Sequence, residues 1–314
     1  MTGITLGDAA GADRVVVRGY APGDEAAILA EMLATLARGE YDGMEAYQLE
    51  AAARRLSDEP DRLAVAELGG RLAGWTVPAD DDLVVVPEFR RRGVGRRLVA
   101  AARSIAASQG RDELRLWVPH RVGPEAFALA CGLRYSSSLW RMRLPPDAVD
   151  TVAAPAFPAG TRVRNLQPGV DDADFTALVN RAFLDHPSTF HLTEKEVHRV
   201  HGAPGFDPAT ILVVEDAATG AMVGFCRVVT YTSDAGRPEG EVRALGVDRP
   251  WRGRGLGRAV TAWGIADLRR RGARSIVLAV EGANERALRL YTGLGFQLDI
   301  EWPHWTIASR PDVA

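Results

Sequence analysis

Apolar and polar positions along this chain run through the same order twice. The apolar runs Leu83–Val86 and Val242–Val247 have the length and β-branched content of buried strands. A helical pattern follows each; in the second pass Leu256, Ala259, Val260 and Trp263 mark one apolar face. Gly272, just after Arg269–Arg271, predicts the end of that helix. Further strands are predicted at Leu114–Val118 and Ser275–Val280. Upstream, Leu63–Glu67 with Arg71–Trp75, and Ile211–Glu215 with Ala221–Phe225, predict hairpins closed by Gly-containing turns. Val17–Gly23 and Val163–Gly169 each read as a strand entering a helix. Each pass therefore predicts β-α-α-β-β-β-α-β-α-β-β, an α/β (α+β) unit with a mixed, mostly antiparallel sheet flanked by helices.

The two passes are an internal repeat, with Arg90 answering to Arg252 about half a chain later. Pro145, Pro146, Pro155 and Pro158 lie among small residues between them, so 145–160 reads as a linker. The expected division is an N-terminal domain over 1–145 and a C-terminal domain over 160–314.

Each pass carries an Arg/Gly turn between its strand and its helix: Arg90-Arg91-Arg92-Gly93-Val94-Gly95 and Arg252-Gly253-Arg254-Gly255-Leu256-Gly257. Glycine lets the backbone approach a ligand closely, and the free N–H groups at a helix start favour phosphate oxygens. Arginine adds fixed positive charge suited to phosphate. A P-loop would need Gly-Lys-Ser/Thr, which is absent. A dinucleotide turn would need a third glycine where Leu98 and Val260 stand.

Charge and composition narrow the partners. The formal net charge of −3 gives no general attraction to nucleic acid. The arginines gather locally, a distribution suited to a compact anion. Two cysteines, Cys131 and Cys226, argue against a disulfide scaffold and for a reducing cytoplasm. Met1–Tyr20 lacks the pattern of a secretory signal, and no apolar run is long enough to span a bilayer. His198 and His201 stand one helical turn apart, with His191 nearby, but no further ligand motif accompanies them; a polar helix face is the expectation, not a metal site.

The turns, their flanking elements and the segment Asn284–Phe296 together resemble the GCN5-related N-acetyltransferase superfamily. That family's phosphate turn reads Arg/Gln-x-x-Gly-x-Gly/Ala after a fourth strand. The resemblance covers nearly the whole chain, once per half, and is similar to the family's tandem members, mycothiol synthases among them. Gly240-Glu241-Val242, Asn180-x-Ala182-Phe183-x-x-His186-Pro187 and Phe206-Asp207-Pro208 carry that closer likeness.

The resemblance implies acetyl-CoA as co-substrate, no metal, and direct transfer of the acetyl group to an amine of a small molecule or peptide. It implies that backbone at Arg252, Gly253, Arg254, Gly255, Leu256, Gly257 and Arg258 holds the pyrophosphate. Leu245, Gly246 and Val247 would pair with the pantetheine arm, beside Asn284. Glu241 would take the amine proton, commonly through water, and Tyr291 would protonate the departing sulfur. The matching cofactor positions of the first half are Leu83, Val84, Val85, Arg91, Arg92, Gly93, Val94, Gly95 and Arg96. There, however, Ala128 faces Tyr291, Arg121 faces Asn284 and Ala79 faces Glu241 in register. The first half thus reads as catalytically degenerate and the second as active. Two alternatives stand beside this: acetylation of a cysteinyl aminosugar, and a non-catalytic coenzyme A sensor or scaffold. Trp302–Trp305, expected in a closing hairpin, is read as core packing or as a wall of the acceptor pocket.

Overall fold

The computed structural model describes residues 14–38, 49, 56, 62–78, 81–117, 124–185, 192–233 and 236–310. Arg121, Ala79, His186, Pro187 and His191 lie outside them. The chain forms two compact units. Met1–Leu139 with Ile300–Ala314 makes the first, and Trp140–Asp299 makes the second. The expected linker at 145–160 falls inside the second unit and includes a helical turn, Pro146–Val149.

In the first unit, β1 (Val15–Gly19), β2 (Ala64–Leu68), β3 (Arg71–Val77) and β4 (Asp82–Val85) form an antiparallel sheet in chain order. The helices α1 (Asp24–Ala37) and α2 (Val94–Ser108) accompany it, and Leu98, Val99 and Ala102 of α2 sit in the core with Trp75. Strand β5 (Glu113–Trp117) pairs antiparallel with the end of the last strand, β12 (Gln297–Ala308), from His304↔Trp117 to Ala308↔Glu113. This corrects the expected closing hairpin. β12 is one strand whose tail completes the first unit, so Trp305 joins that unit's core.

His304 lies in the same tail, 5% exposed. Its Nε2 faces an Arg115 nitrogen at 3.4 Å, and its Nδ1 has no hydrogen-bond partner among the described residues. Burial, aided by the Arg115 charge, pushes its pKa down to about 4. Between that value and the ~6.5 of an unfolded histidine, only the unfolded chain takes the proton. Stability is therefore complete above that window and is lost as pH falls through it. The melting temperature is expected to fall between pH 7 and 5, and to fall less in His304→Gln; equal slopes would remove His304 as the cause.

In the second unit the sheet runs β6-β11-β10-β9-β8-β7. These are the end of β6 (Arg134–Leu144), β7 (Thr161–Asn165), β8 (Ile211–Asp216), β9 (Met222–Thr232), β10 (Pro238–Val247) and β11 (Ser275–Glu281). β7 to β10 are antiparallel neighbours, and β10 with β11 is parallel.

Two local devices recur in both units. Arg18 binds Asp24 and Glu67 at 2.7 and 2.6 Å. Arg164 binds Asp171 and Glu215 at 2.6 and 2.7 Å. Although burial alone would raise it, the pKa of Glu215 is held below the ordinary carboxylate range by Arg162 and Arg164. Likewise, Leu133 N–H bonds Ala128 C=O at 2.9 Å after Gly132 at φ +77°. Phe296 N–H bonds Tyr291 C=O at 3.0 Å after Gly295 at φ +96°. The same glycine-ended helix stop thus places Ala128 where the second unit has Tyr291.

Candidate functional site

The site grows from a parting of strands. β10 pairs with β11 from Glu239↔Ser275 to Val242↔Leu278 and no farther, while its pairing with β9 continues to Val247↔Gly224. The parting coincides with a bulge between Val242 and Ala244, where Arg243 is the extra residue. A bulge bends its strand and re-aims the side chains beside it.

Beyond that point lies a cavity of about 560 Å³, between Leu245–Val247 and the helix α8 (Glu285–Thr292). Gly246 is required there, since a Cβ would stand 2.5 Å from the Phe225 ring and 2.8 Å from Ala182 Cβ. The cavity reaches the Arg/Gly turn and the start of α7 (Leu256–Arg270). Gly253 and Gly255 take φ of +81° and +86°, and a Cβ on either would meet nothing within 4 Å. The first N–H groups of α7 thus open onto space beside Arg252 and Arg258, which is the setting a pyrophosphate requires. α7 ends as the sequence predicts: Ala273 N–H bonds Leu268 C=O at 3.0 Å around Gly272 at φ +91°.

The expected residues divide by what they present. Leu245, Gly246, Val247, Gly253, Gly255, Gly257, Arg258 and Asn284 line this cavity. Arg252 lines it too, but its guanidinium is engaged by Val247 C=O, Asp185 and Ala182 C=O at 3.0, 2.8 and 2.9 Å, so it braces the turn. Arg254 stacks over Trp251, 5.0 Å from the ring centroid. Leu256 is fully buried in the core and contributes backbone alone. Asn284 caps α8, accepting from Ala287 N–H at 3.1 Å.

A second cavity of about 360 Å³ lies alongside. Its apolar wall is Phe175 and Val179 of α5 (Asp172–Ala182), with Phe183, Leu192 and Phe225. Its polar groups are Arg227, Arg243 and Glu281. Phe183, Leu245, Asn284 and Tyr291 border both cavities. Tyr291 is 6% exposed and packs edge-on against Phe296, with ring centroids 6.0 Å apart. Burial pushes its pKa up, so the phenol stays protonated through neutral and mildly alkaline pH. Its hydroxyl makes no hydrogen bond among the described residues.

Glu241 borders neither cavity directly. Its carboxylate, 13% exposed, binds Arg243 at 2.8 and 3.0 Å. Sequence reasoning missed Arg227, Arg243 and Glu281. Glu281 ends an apolar run and is 2% exposed, a signal only burial makes legible.

The first unit keeps the turn but not its surroundings. Arg90 Nε donates to Val85 C=O at 3.2 Å, as Arg252 does to Val247, and Gly93 takes φ +82°. Leu83, Val84, Val94 and Gly95 are buried, Val85 is half-buried, and Arg91, Arg92 and Arg96 are exposed. A Cβ on Gly95 would stand 2.7 Å from the Phe127 ring, whereas on Gly257 it would meet Leu290 at an ordinary 3.6 Å.

The histidines serve packing. His198 and His201 both turn Nδ1 to Asp172, at 2.9 and 2.7 Å, joining α6 (Glu194–His201) to α5. Among the described residues no group of three or more His, Cys, Asp or Glu is arranged to hold a metal, and no helix is long and apolar enough to cross a membrane. Cys226 is fully buried, and burial pushes its thiol pKa up, which makes it inert.

Residues 29–130 and 175–296 each match the acetyltransferase (GNAT) family. The mycothiol acetyltransferase of Thermobispora bispora is 39% identical over 305 residues, covering 94% of this chain and 97% of that protein. That of Thermobifida fusca is 34% identical over 254 residues, covering 74% and 78%. Among solved structures, a tandem GNAT protein from the clavulanic acid biosynthesis pathway shares the fold with a TM-score of 0.69 at 23% identity, over 95% of this chain and all (100%) of its own. A GCN5-related N-acetyltransferase from Sphaerobacter thermophilus does so at 0.67 and 23%, over 96% and 98%.

Proposed function

Because the chain belongs to the acetyltransferase (GNAT) family and is an acetyl-CoA-dependent N-acetyltransferase, we propose that its second unit performs the transfer and takes a small-molecule amine in the 360 Å³ cavity. The observation that carries this is Tyr291, a buried, protonated phenol at the border of the two cavities. A cavity of this size suits a small molecule rather than a long peptide.

When bound, acetyl-CoA supplies the thioester carbonyl that the amine attacks. The N–H groups opening α7, with Arg258, hold its pyrophosphate, and the parted edge of β10 at Leu245–Val247 receives the pantetheine arm. An N–H on that edge stabilises the carbonyl oxygen as it gains charge. As the C–N bond forms, the amine proton passes through water to Glu241, held in place by Arg243. As the C–S bond breaks, Tyr291 gives its phenolic proton to the sulfur. The first unit, with Ala128 in the place of Tyr291, acts as a structural partner.

A second reading names the acceptor. The identity to mycothiol acetyltransferases, extended over most of both chains, favours a cysteinyl aminosugar as the amine. Two free cysteines fit a reducing cytoplasm as the setting. Incubation with acetyl-CoA and a panel of amines, including a cysteinyl aminosugar, tests both readings. Product should be followed by mass, because a cysteinyl acceptor would itself answer a thiol reagent. Acetylation of no amine, in protein shown to bind acetyl-CoA, overturns the first reading; acetylation of other amines in preference to the aminosugar overturns the second.

Glu241→Gln is expected to lower kcat by ~10²-fold and to displace the acidic limb of its pH profile, since an amide keeps the shape but accepts no proton. A rise confined to KM for the amine would make Glu241 a substrate clamp. An unchanged rate, with loss of activity in Glu281→Gln, would move the base to Glu281.

A further inference from the structure

We infer that Asn180 is a positioning residue for the acceptor amine: its carboxamide fixes Leu192 as a wall of the 360 Å³ cavity, and through that wall sets how tightly the amine binds. This rests on the reading that the same cavity receives the amine.

The clamp is a match of hydrogen-bonding groups. Asn180 Nδ2 donates to Leu192 C=O at 2.9 Å, and Leu192 N–H donates to Asn180 Oδ1 at 2.9 Å. One side chain thus answers both backbone groups of one residue. A carboxamide carries a donor and an acceptor side by side, whereas a carboxylate lacks the donor and an alkyl group lacks both. Leu192 is fixed from its other side as well. It precedes Thr193, the cap of α6, whose hydroxyl accepts from Glu196 N–H at 3.3 Å while the Glu196 carboxylate accepts from Thr193 N–H at 2.8 Å. Leu192 packs on the core cluster that holds Val197, four residues past the cap. An apolar pair at those two places sets the angle at which a chain enters its helix.

The place of the clamp separates it from the fold. α5 and α6 are already joined through Asp172, near the start of α5, which meets His198 and His201 at 2.9 and 2.7 Å. Asn180 pins the other end of α5, and the cavity residues Phe175 and Val179 lie between the two joints. The pairing of the helices therefore does not hang on Asn180, whereas the position of Leu192 does. Leu192 lines the 360 Å³ cavity and not the 560 Å³ one, so its displacement falls on the amine and spares acetyl-CoA. The neighbours of Asn180 reach the rest of the site. Ala182 C=O accepts from Arg252 at 2.9 Å, and Phe183 borders both cavities. The motif Asn180-x-Ala182-Phe183 thus ties the acceptor wall to the phosphate turn.

Steady-state rates of the full chain with acetyl-CoA test this, with cysteinylglucosamine and phenylethylamine as the acceptor probes and product followed by mass. For the probe acetylated, Asn180→Ala is expected to raise KM for the amine by roughly tenfold or more, the worth of two lost hydrogen bonds, with kcat nearly unchanged. Calorimetric affinity for acetyl-CoA should stay as in the intact protein. Asn180→Asp, which keeps the acceptor and loses the donor, should raise KM as well, and it serves should the alanine variant fail to fold. Leu192→Ala should raise KM by itself, and adding Asn180→Ala to it should raise KM little further, because the clamp acts through that side chain. A merely structural role would weaken acetyl-CoA binding and the amine alike. An unchanged KM in the folded variants, a matching loss of acetyl-CoA affinity, additive effects of the two substitutions, or acetylation of neither probe would each overturn the inference while leaving the proposed function in place. Val179→Trp, filling the cavity, is expected to stop transfer to every acceptor; transfer that survives it in a folded protein overturns the cavity reading and this inference together.

Discussion

Tyr291→Phe is expected to lower kcat by ~10²–10⁴-fold, the usual worth of a positioned general acid, with little change in acetyl-CoA binding. The geometry makes the substitution clean. The ring's packing against Phe296 survives, and the lost hydroxyl leaves no partner stranded among the described residues. Because burial raises the phenol's pKa, its proton remains available through neutral pH. The intact enzyme should accordingly show no alkaline limb from Tyr291 in the neutral range. Steady-state rates over pH, with calorimetric binding of acetyl-CoA and a melting curve, check the expectation. An unchanged kcat across that range would remove Tyr291 from the chemistry.

Gly255→Asp is expected to abolish useful acetyl-CoA binding in the second unit, while Gly93→Asp leaves turnover largely intact. Both glycines open a helix at positive φ, +86° and +82°. Each substitution therefore strains the same kind of backbone, and the open space at both sites rules out a steric difference. What differs is the neighbourhood. Gly255 lines the cavity proposed to hold the pyrophosphate against the N–H groups of α7, so the new carboxylate is expected to repel it. Charged hydrogen bonds of that kind are worth ~1.5–3 kcal/mol each, so their replacement by repulsion should weaken binding by roughly 10–100-fold or more. Gly255→Asn keeps the backbone strain without the charge, and the difference between Asp and Asn measures the electrostatic part. In the first unit Ala128 stands in the tyrosine's place and the Phe127 ring covers Gly95. If Gly93→Asp stops catalysis in a folded protein and Gly255→Asp spares it, the active half is wrongly assigned. If both stop it, the two units work as one.

The sequence by itself determined the features whose causes are local. The repeat, the Arg/Gly turns and the helix stops at Gly132, Gly272 and Gly295 depend on residues a few positions apart and on glycines that alone accept positive φ easily. Asn284 as a cap and the apolar stripe of α7 belong to the same class. The absence of a tyrosine at Ala128 was equally legible, because the helix-stop pattern sets the register.

Only the tertiary structure decided the features that depend on which strand lies beside which. The bulge at Arg243 and the parting of β10 from β11 after Val242 appear in no local pattern, since a register shift is a relation between strands. The course of β12 was misread as a hairpin because its two ends serve different units, and partner exchange leaves no mark on alternation. Burial, likewise, is a property of the packed molecule. It raises the Tyr291 pKa, gathers Glu281 and Arg227 around one cavity, and leaves Glu241 behind Arg243. Those five side chains come from three strands and a helix, and their convergence is set by the packing of those elements together.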